Sequence, residues 1–333
     1  MAKTDRIMVT SVMDNERKCA IIGCGYVGAT AAFSLMKSGL FTEIVLIDKD
    51  EKKAYGEAMD LMHAVPFNAP TEIYSGGYED IGDADIIVIA AGANQRPGQT
   101  RLELVRTNVR ITESIMAEVA KHNEHGIILM VSNPVDVLTY VAIKSSGIDP
   151  SRVIGSGTVL DTARLKALLG RHLGVDSRNV HSFILGEHGD SEIAVWSSAN
   201  ISGIDLLEFC GANCNDCALE TLQGLHKQVT TSAYRIIEAK GVTNYAIAEA
   251  VCRICSAIIR DENAILPVSV LVDGHYGLND ICLGLPCVVG GKGVSRILDI
   301  PLDEQESTML KRSAAALSQI LVDIGYGNLI LKN

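Results

Sequence analysis

The segment C-A-I-I-G-C-G-Y-V-G constrains this chain more than any other. In it Gly23, Gly25 and Gly28 follow a short apolar run and open a helical pattern. In that setting G-x-G-x-x-G is a turn between a buried strand and a helix. Gly23 permits the tight turn, Gly25 lets the backbone approach a ligand, and Gly28 lets the helix pack closely. The helix start offers unpaired N–H groups and partial positive charge, which suits a pyrophosphate. Asp48 ends the next strand, where a carboxylate accepts hydrogen bonds from ribose hydroxyls and repels an added phosphate. The segment therefore predicts dinucleotide binding, with NAD favoured over its phosphorylated form.

The rest of the first half fits that start. Cys19–Gly23, Glu43–Asp48, Asp85–Ala91 and Gly126–Ser132 are continuous Ile/Val-rich runs, as expected of parallel strands buried on both faces. Shorter strands are expected at Glu72–Ser75 and Arg152–Ile154. Helical patterns at Gly28–Ser38, Glu51–Ala64, Leu102–His122 and Val135–Ser146 lie between them. The alternation predicts an α/β fold with a Rossmann-type doubly wound parallel sheet.

The second half changes character. Helices near Val159–Leu173 and Leu219–Lys240 surround strand-like pieces at His181–Leu185, Ile265–Val272 and Cys287–Gly290, and an amphipathic helix runs over Asp303–Tyr326. An α+β substrate domain is expected there. The boundaries read as 17–156 for the dinucleotide domain and 157–333 for the catalytic one. A helix near 243–262 is expected to pack back on the first domain.

Length, charge and cysteines bound the function. The chain has 333 residues, 47% hydrophobic, with a net charge of -11. That charge speaks against a nucleic-acid partner, which wants a basic face. No apolar run is long enough for a membrane span, and the N-terminus lacks the apolar core of a signal peptide. A cytoplasmic location is expected. There are nine cysteines, an odd number, in a chain too large to need disulfide staples. Cys252 and Cys255 lie in a helical pattern and read as core fillers. Cys214-x-x-Cys217, with Cys210 nearby, lies in a polar connection. A metal or a disulfide is possible there, but solvent-near thiols are the simpler reading, and no metal is expected.

A reacting site is suggested by three segments. His188 lies in Gly186-Glu187-His188-Gly189-Asp190, a backbone shaped to present a side chain. A histidine holds and releases a proton near neutral pH. Reducing a ketone requires such a proton as hydride arrives. Asp161 and Arg164, in V-L-D-T-A-R, are neighbours on one helix face. The first can orient the imidazole and favour its charged form; the second can clamp a carboxylate through a two-bond fork. An ordinary loop histidine beside a local ion pair is the simpler alternative, which the three segments together outweigh. Arg101 follows a polar Gly/Pro segment at the end of a strand, where ligands bind in such sheets. That segment suits a lid, with Arg101 polarising the ketone oxygen. Asn133, ending the next strand, can orient substrate or nicotinamide.

Taken together, G-C-G-Y-V-G, A-G-A-N-Q-R-P-G-Q-T-R, S-N-P-V-D, V-L-D-T-A-R and G-E-H-G-D resemble the NAD-dependent lactate/malate dehydrogenase family over essentially the whole chain. The resemblance implies that His188 is the proton donor and acceptor, with Asp161 as its partner and Arg101 as the lid arginine. Arg164 would bind the substrate carboxylate, with Gln95, Asn133, Thr243 and Ile247 also lining the substrate site. The cofactor set would be Gly23, Gly25, Tyr26, Val27, Gly28, Asp48, Ala91, Gly92 and Asn133. A homotetramer is also implied.

Residue 95 bears on the substrate. Family members acting on lactate carry glutamine there, and those acting on malate carry arginine. Pyruvate has one carboxylate, which Arg164 neutralises. Oxaloacetate brings a second, and burying it without a new cation is unfavourable. An ion pair at about 4 Å contributes ~4 kcal/mol, and even half of that discriminates by more than about tenfold. Gln95 thus points to pyruvate, with Arg96 read as facing outward or toward the cofactor. The alternatives are a malate-type or broader 2-hydroxyacid enzyme and, in another class, a non-catalytic NAD-binding protein. Members activated by fructose 1,6-bisphosphate use an arginine and a histidine as an allosteric phosphate site. Here these positions are Lys166 and His181, so weak or absent activation is expected.

Overall fold

The computed structural model describes residues 16–94, 98–213 and 218–327. The first half alternates strand and helix: β1 (Lys18–Ile22), α1 (Tyr26–Ser38), β2 (Glu43–Ile47), α2 (Glu51–Ala64), β3 (Glu72–Ser75) and β4 (Ile86–Ile89). It continues with α3 (Arg101–His122), β5 (Ile127–Met130), α4 (Val135–Ser146) and β6 (Val153–Gly155). These strands pair in parallel in the order β3-β2-β1-β4-β5-β6. That is the doubly wound order, with the switch point between β1 and β4. Every residue of β1, β4 and β5 is buried, which explains their unbroken apolar sequences.

The second half runs through α5 (Val159–Leu173), β7 (Val180–Leu185), β8 (Ile193–Ile201), β9 (Ile204–Asp205), α6 (Leu206–Asn213) and α7 (Leu219–Lys240). Then follow α8 (Tyr245–Ile259), β10 (Ala264–Asp273), β11 (Asn279–Gly290), β12 (Gly293–Ile297) and α9 (Glu304–Asp323). Its strands divide. β7, β8 and β9 form a small antiparallel sheet, while β10, β11 and β12 extend the large one beyond β6. Among the described residues the large sheet therefore has nine strands, six from the first half and three from the second. The junction is thin: Ser269 of β10 pairs with Gly155 of β6. A second bridge, Gly186 to Gly284, ties the end of β7 to β11.

The interior follows this sheet. One continuous apolar cluster includes Ile21, Ile44, Val88 and Leu129 from the first half and Val251, Val270 and Leu285 from the second. A smaller cluster under the second sheet includes Leu165, Ile184 and Leu222. α8 lies on α1, where Ser34 donates to Glu249 at 2.6 Å and Asn244 donates to Thr30 at 2.9 Å.

Cys252 and Cys255 are free thiols, half-buried and buried respectively. Cys210 is buried and disulfide-bonded, so the expectation of a solvent-near thiol fails at that position. Cys214 and Cys217 lie outside the described residues. Among those described, no helix is long and apolar enough to cross a membrane.

Candidate active site

The glycine loop has the shape its sequence implies. Gly23 sits at φ 101°, a conformation that disfavours side chains, and a Cβ there would lie 2.4 Å from the Ala91 nitrogen. A Cβ on Gly28 would lie 1.9 Å from the Gly23 carbonyl oxygen. A Cβ on Gly25 would meet nothing within 4 Å. The loop is thus closed on its inner side by Gly23 and Gly28 and open on its outer side at Gly25. Gly25 also caps α1 without any side-chain hydrogen bond, so the N–H groups of the first turn are available to a phosphate. Tyr26 is exposed and Val27 half-buried at that opening.

Asp48 joins the loop to the next strand. One carboxylate oxygen accepts the Cys24 N–H at 2.7 Å and the other the Asp50 N–H at 3.0 Å. Each oxygen retains a lone pair for a ribose hydroxyl. Ala91 and Gly92 stand across the switch point, the first half-buried and the second exposed. These features fit a dinucleotide: a cradle a Cβ would fill, an uncapped helix start and a half-buried carboxylate beyond it.

The carboxyl ends of the next strands carry polar groups on the same side. The Ala93 N–H donates to Asn108 at 2.8 Å, and the Asn108 amide donates to the Asn133 carbonyl at 2.9 Å. Asn108, buried on α3, thereby fixes the loops after β4 and β5 together. Asn133 itself is exposed, with its side chain accepting the Val135 N–H at 3.3 Å. Gln95 and Arg96 lie outside the described residues.

Four elements meet around the His188 turn: α4, α5, β7 and α9. The buried Thr158 hydroxyl donates to the Ile184 carbonyl at 2.5 Å, fixing the start of α5 against β7. Asp161 in the first turn of α5 is 2% exposed. Its carboxylate accepts from Arg164 Nη1 at 2.9 Å and pairs with His188 Nδ1 at 2.5 Å. Nδ1 is committed to that bond, so Nε2 lies on the far side of a ring whose side chain is 25% exposed. The backbone of the turn is fixed as well. The His188 N–H donates to Asp136 of α4 at 2.8 Å, and the Glu187 N–H donates to Ser313 of α9 at 2.8 Å.

The electrostatics favour a charged imidazole. Burial works against it, but the Asp161 carboxylate foremost, with Asp136 behind it, outweighs burial and raises His188 to about 9. Asp161 is held below its ordinary value: burial pushes its carboxyl up, and His188 and Arg164 more than compensate. Burial raises Asp136 to about 6 against the pull of the His188 N–H.

Arg101 is the first residue of α3, behind a Thr100–Glu103 capping box. Its side chain is 69% exposed and lies 3.7 Å from Asp190, two residues past His188. The structure thus places it at the rim of the His188 turn rather than against the Asp161–His188 pair. Asp190 also accepts the Tyr234 hydroxyl of α7 at 3.0 Å. Thr243 is half-buried just ahead of α8, and Ile247 is partly buried against the main core on that helix. Lys166 is half-buried on α5 with its pKa lowered by burial, and His181 is exposed on β7, which packs against α5.

Sequence reasoning missed Asn108, Asp136 and Glu192. Glu192 stands just ahead of β8, 4% exposed, near Asp161 and His188. The Asp161–His188–Glu192 trio offers metal-ligand atoms, but Asp161 is already bonded to both His188 and the Arg164 cation. That arrangement favours proton transfer next to an anion-binding arginine.

Comparison with known proteins gives the family of the chain. Residues 17–155 match the NAD-binding domain of lactate/malate dehydrogenases, and residues 158–324 match the α/β C-terminal domain of the same family. The chain is 49% identical to an L-lactate dehydrogenase of Acetivibrio thermocellus over 306 residues, 92% of this chain and 96% of the relative. It is also 49% identical to L-lactate dehydrogenase 1 of Clostridium acetobutylicum over 312 residues, 94% of this chain and all of the relative. Among solved structures, MGS-M5, a lactate dehydrogenase from a deep-sea metagenome library of the Medee basin, superposes with a TM-score of 0.91 at 42% identity. That alignment covers 93% of this chain and 99% of the other. The minor L-lactate dehydrogenase of Enterococcus mundtii in its ligand-bound form gives 0.90 at 40% identity, covering 95% and 99%.

Proposed function

The chain belongs to the lactate/malate dehydrogenase family, and we propose that it is an L-lactate dehydrogenase that interconverts pyruvate and (S)-lactate using NAD(H). The observation that carries this reading is the Asp161–His188–Arg164 unit at the carboxyl side of a dinucleotide-binding sheet. NADH, held at the glycine cradle, would supply the hydride. Gly23, Gly25, Tyr26, Val27 and Gly28 form the phosphate side of the cofactor site, and Asp48 selects a ribose without an added phosphate. Ala91, Gly92 and Asn133 form its nicotinamide side.

Each remaining step belongs to a named side chain. Arg164 takes the substrate carboxylate through its guanidinium, one of whose nitrogens is held by Asp161. His188, charged at neutral pH, delivers the proton from Nε2 to the ketone oxygen. Asp161 stabilises the imidazolium and fixes its orientation, and Asn133 hydrogen-bonds the reacting groups. Arg101 moves from its place beside Asp190 toward the ketone oxygen when substrate binds. Thr243 and Ile247 wall the pocket from the α8 side. The signs follow from His188: pyruvate reduction holds through neutral pH and falls as pH rises through about 9, whereas lactate oxidation needs the neutral ring and gains there.

Gln95 leaves the pocket without a second cation and so favours pyruvate over oxaloacetate. NADH oxidation with each 2-oxoacid, compared as kcat/KM and repeated with NADPH, tests the reading. Pyruvate with NADH should be preferred; a preference for oxaloacetate would overturn it. Gln95→Arg should then move the ratio toward oxaloacetate by about tenfold or more. Lys166 lacks the arginine fork, so added fructose 1,6-bisphosphate should change the half-saturating pyruvate concentration little; a large saturable drop would refute this. The chain further assembles as a cytoplasmic homotetramer in this reading. Supporting assembly, α2 turns Tyr55, Met59 and Met62 to solvent on one face, with Phe67 exposed nearby.

A further inference from the structure

Glu192 is a buried acid that the reaction as described above does not use. Its side chain is 2% exposed and lies among groups that already carry charge. One ligand-type atom each from Glu192, Asp161 and His188 falls within 4.8 Å of the others. Its Oε1 is buried without a hydrogen-bond partner. The nearest basic group is His226 of α7, whose Nε2 lies 3.8 Å away and is also unpartnered. That distance exceeds a hydrogen bond.

A charge count limits the state Glu192 can hold. Asp161 contributes one negative charge, and Arg164 and charged His188 one positive charge each. The three together leave one net positive charge. Asp136 behind His188, raised only to about 6, adds one negative charge at neutral pH, and Arg101 adds one positive charge on moving to the ketone, so the net remains one positive charge, which matches a monocarboxylate substrate. An ionised Glu192 would cancel it and leave the substrate carboxylate uncompensated in a buried site. His226 does not restore the balance, because burial lowers its pKa and keeps the ring neutral. The other groups facing Glu192 are Asp190 in the turn and, behind His188, Asp136 of α4. Both are carboxyl groups. Before it moves to the ketone, Arg101 lies 3.7 Å from Asp190 and is exposed to solvent, so its influence on Glu192 is screened.

We propose that Glu192 is a positioning residue for the reaction, and that pyruvate binds productively only when Glu192 as well as His188 carries a proton. The protonated carboxyl competes neither with the substrate for Arg164 nor with Asp161 for His188, and Asp161 keeps its bonds to both. Burial and the neighbouring Asp161 raise Glu192 to about 9, so the required form prevails at neutral pH. This rests on the pyruvate-reducing reading given above.

The proposal predicts the order of the alkaline limb. With NADH saturating, kcat/KM for pyruvate is measured from about pH 6 to about pH 10.5, with samples returned to neutral pH to confirm that activity recovers. Loss of one required proton makes the limb approach about tenfold per pH unit; loss of two makes it approach about a hundredfold. The parent protein should approach the steeper limit. Glu192→Gln, which keeps the shape of the carboxyl without its charge, should approach the shallower limit, with the change in pH dependence residing in KM rather than kcat. Glu192→Ser provides the same comparison if the glutamine variant does not fold. A parent limb of about tenfold per unit overturns the proposal with no variant needed, as does a steep limb that survives in the neutral variants. Absence of pyruvate turnover at neutral pH would instead count against the functional reading itself.

Discussion

The cofactor cradle and the reacting cluster are built on opposite principles. The cradle is six consecutive residues, Gly23 to Gly28, whose function is a backbone shape; the nearest atoms that a Cβ on Gly23 or Gly28 would meet are backbone atoms. The cluster gathers side chains from α4, α5, the turn after β7 and α7, and its function is a balance of buried charge. A local shape can be written in one stretch of sequence. A charge balance needs partners brought from separate elements, each altering the protonation of the others. The two regions should therefore fail differently, the cradle through sterics and the cluster through charge.

The largest test lies in the cluster. His188→Gln removes the proton donor while keeping hydrogen-bonding capacity, and kcat/KM for pyruvate should fall by about a thousandfold. NADH affinity, followed by its fluorescence, should stay near the parent value; a parallel loss of cofactor binding would merge the two regions. Arg164→Lys keeps the charge but loses the planar fork. A loss of roughly a hundredfold is expected, ~3 kcal/mol, expressed mainly in the KM for pyruvate. An effect confined to kcat would mean that Arg164 does not hold the substrate carboxylate.

The smaller test lies in the cradle. Gly28→Ala adds no charge but forces a methyl group to 1.9 Å from the Gly23 carbonyl oxygen. It should destabilise the fold by about 1–3 kcal/mol, read as a lowered Tm, and should weaken NADH more than pyruvate. An unchanged Tm with normal NADH affinity would show that α1 does not need its close approach to the loop.

This contrast explains what the sequence disclosed. The parallel strands were legible because each is a continuous apolar run between turn signals, and the cradle because its glycines follow one of those runs. Asp161 and Arg164 were legible through their three-residue spacing on a helix. Asp136 was not, since an aspartate in a first helical turn reads as a favourable end charge. Only the tertiary fold brings the His188 N–H to it. Glu192 and His226 were equally silent, the one beside a strand start and the other inside an exposed-looking helix. β8 escaped notice because its sequence, I-A-V-W-S-S-A-N-I, mixes polar and apolar residues as a half-covered strand does. Patterning disclosed β10 and only the Cys287–Gly290 end of β11 as strand, and not which edge they join, since a strand's alternation does not name its partner.

The edge they join has a consequence for how the molecule holds together. β10 completes the sheet beside β6, and α8 covers α1, so chain from the second half finishes structures begun by the first. A fragment stopping after β6 would leave the backbone of a buried strand without its neighbour and bare the apolar face of α1. The halves are therefore not interchangeable modules. The whole chain should melt as one cooperative unit, and each half should depend on the other for its solubility.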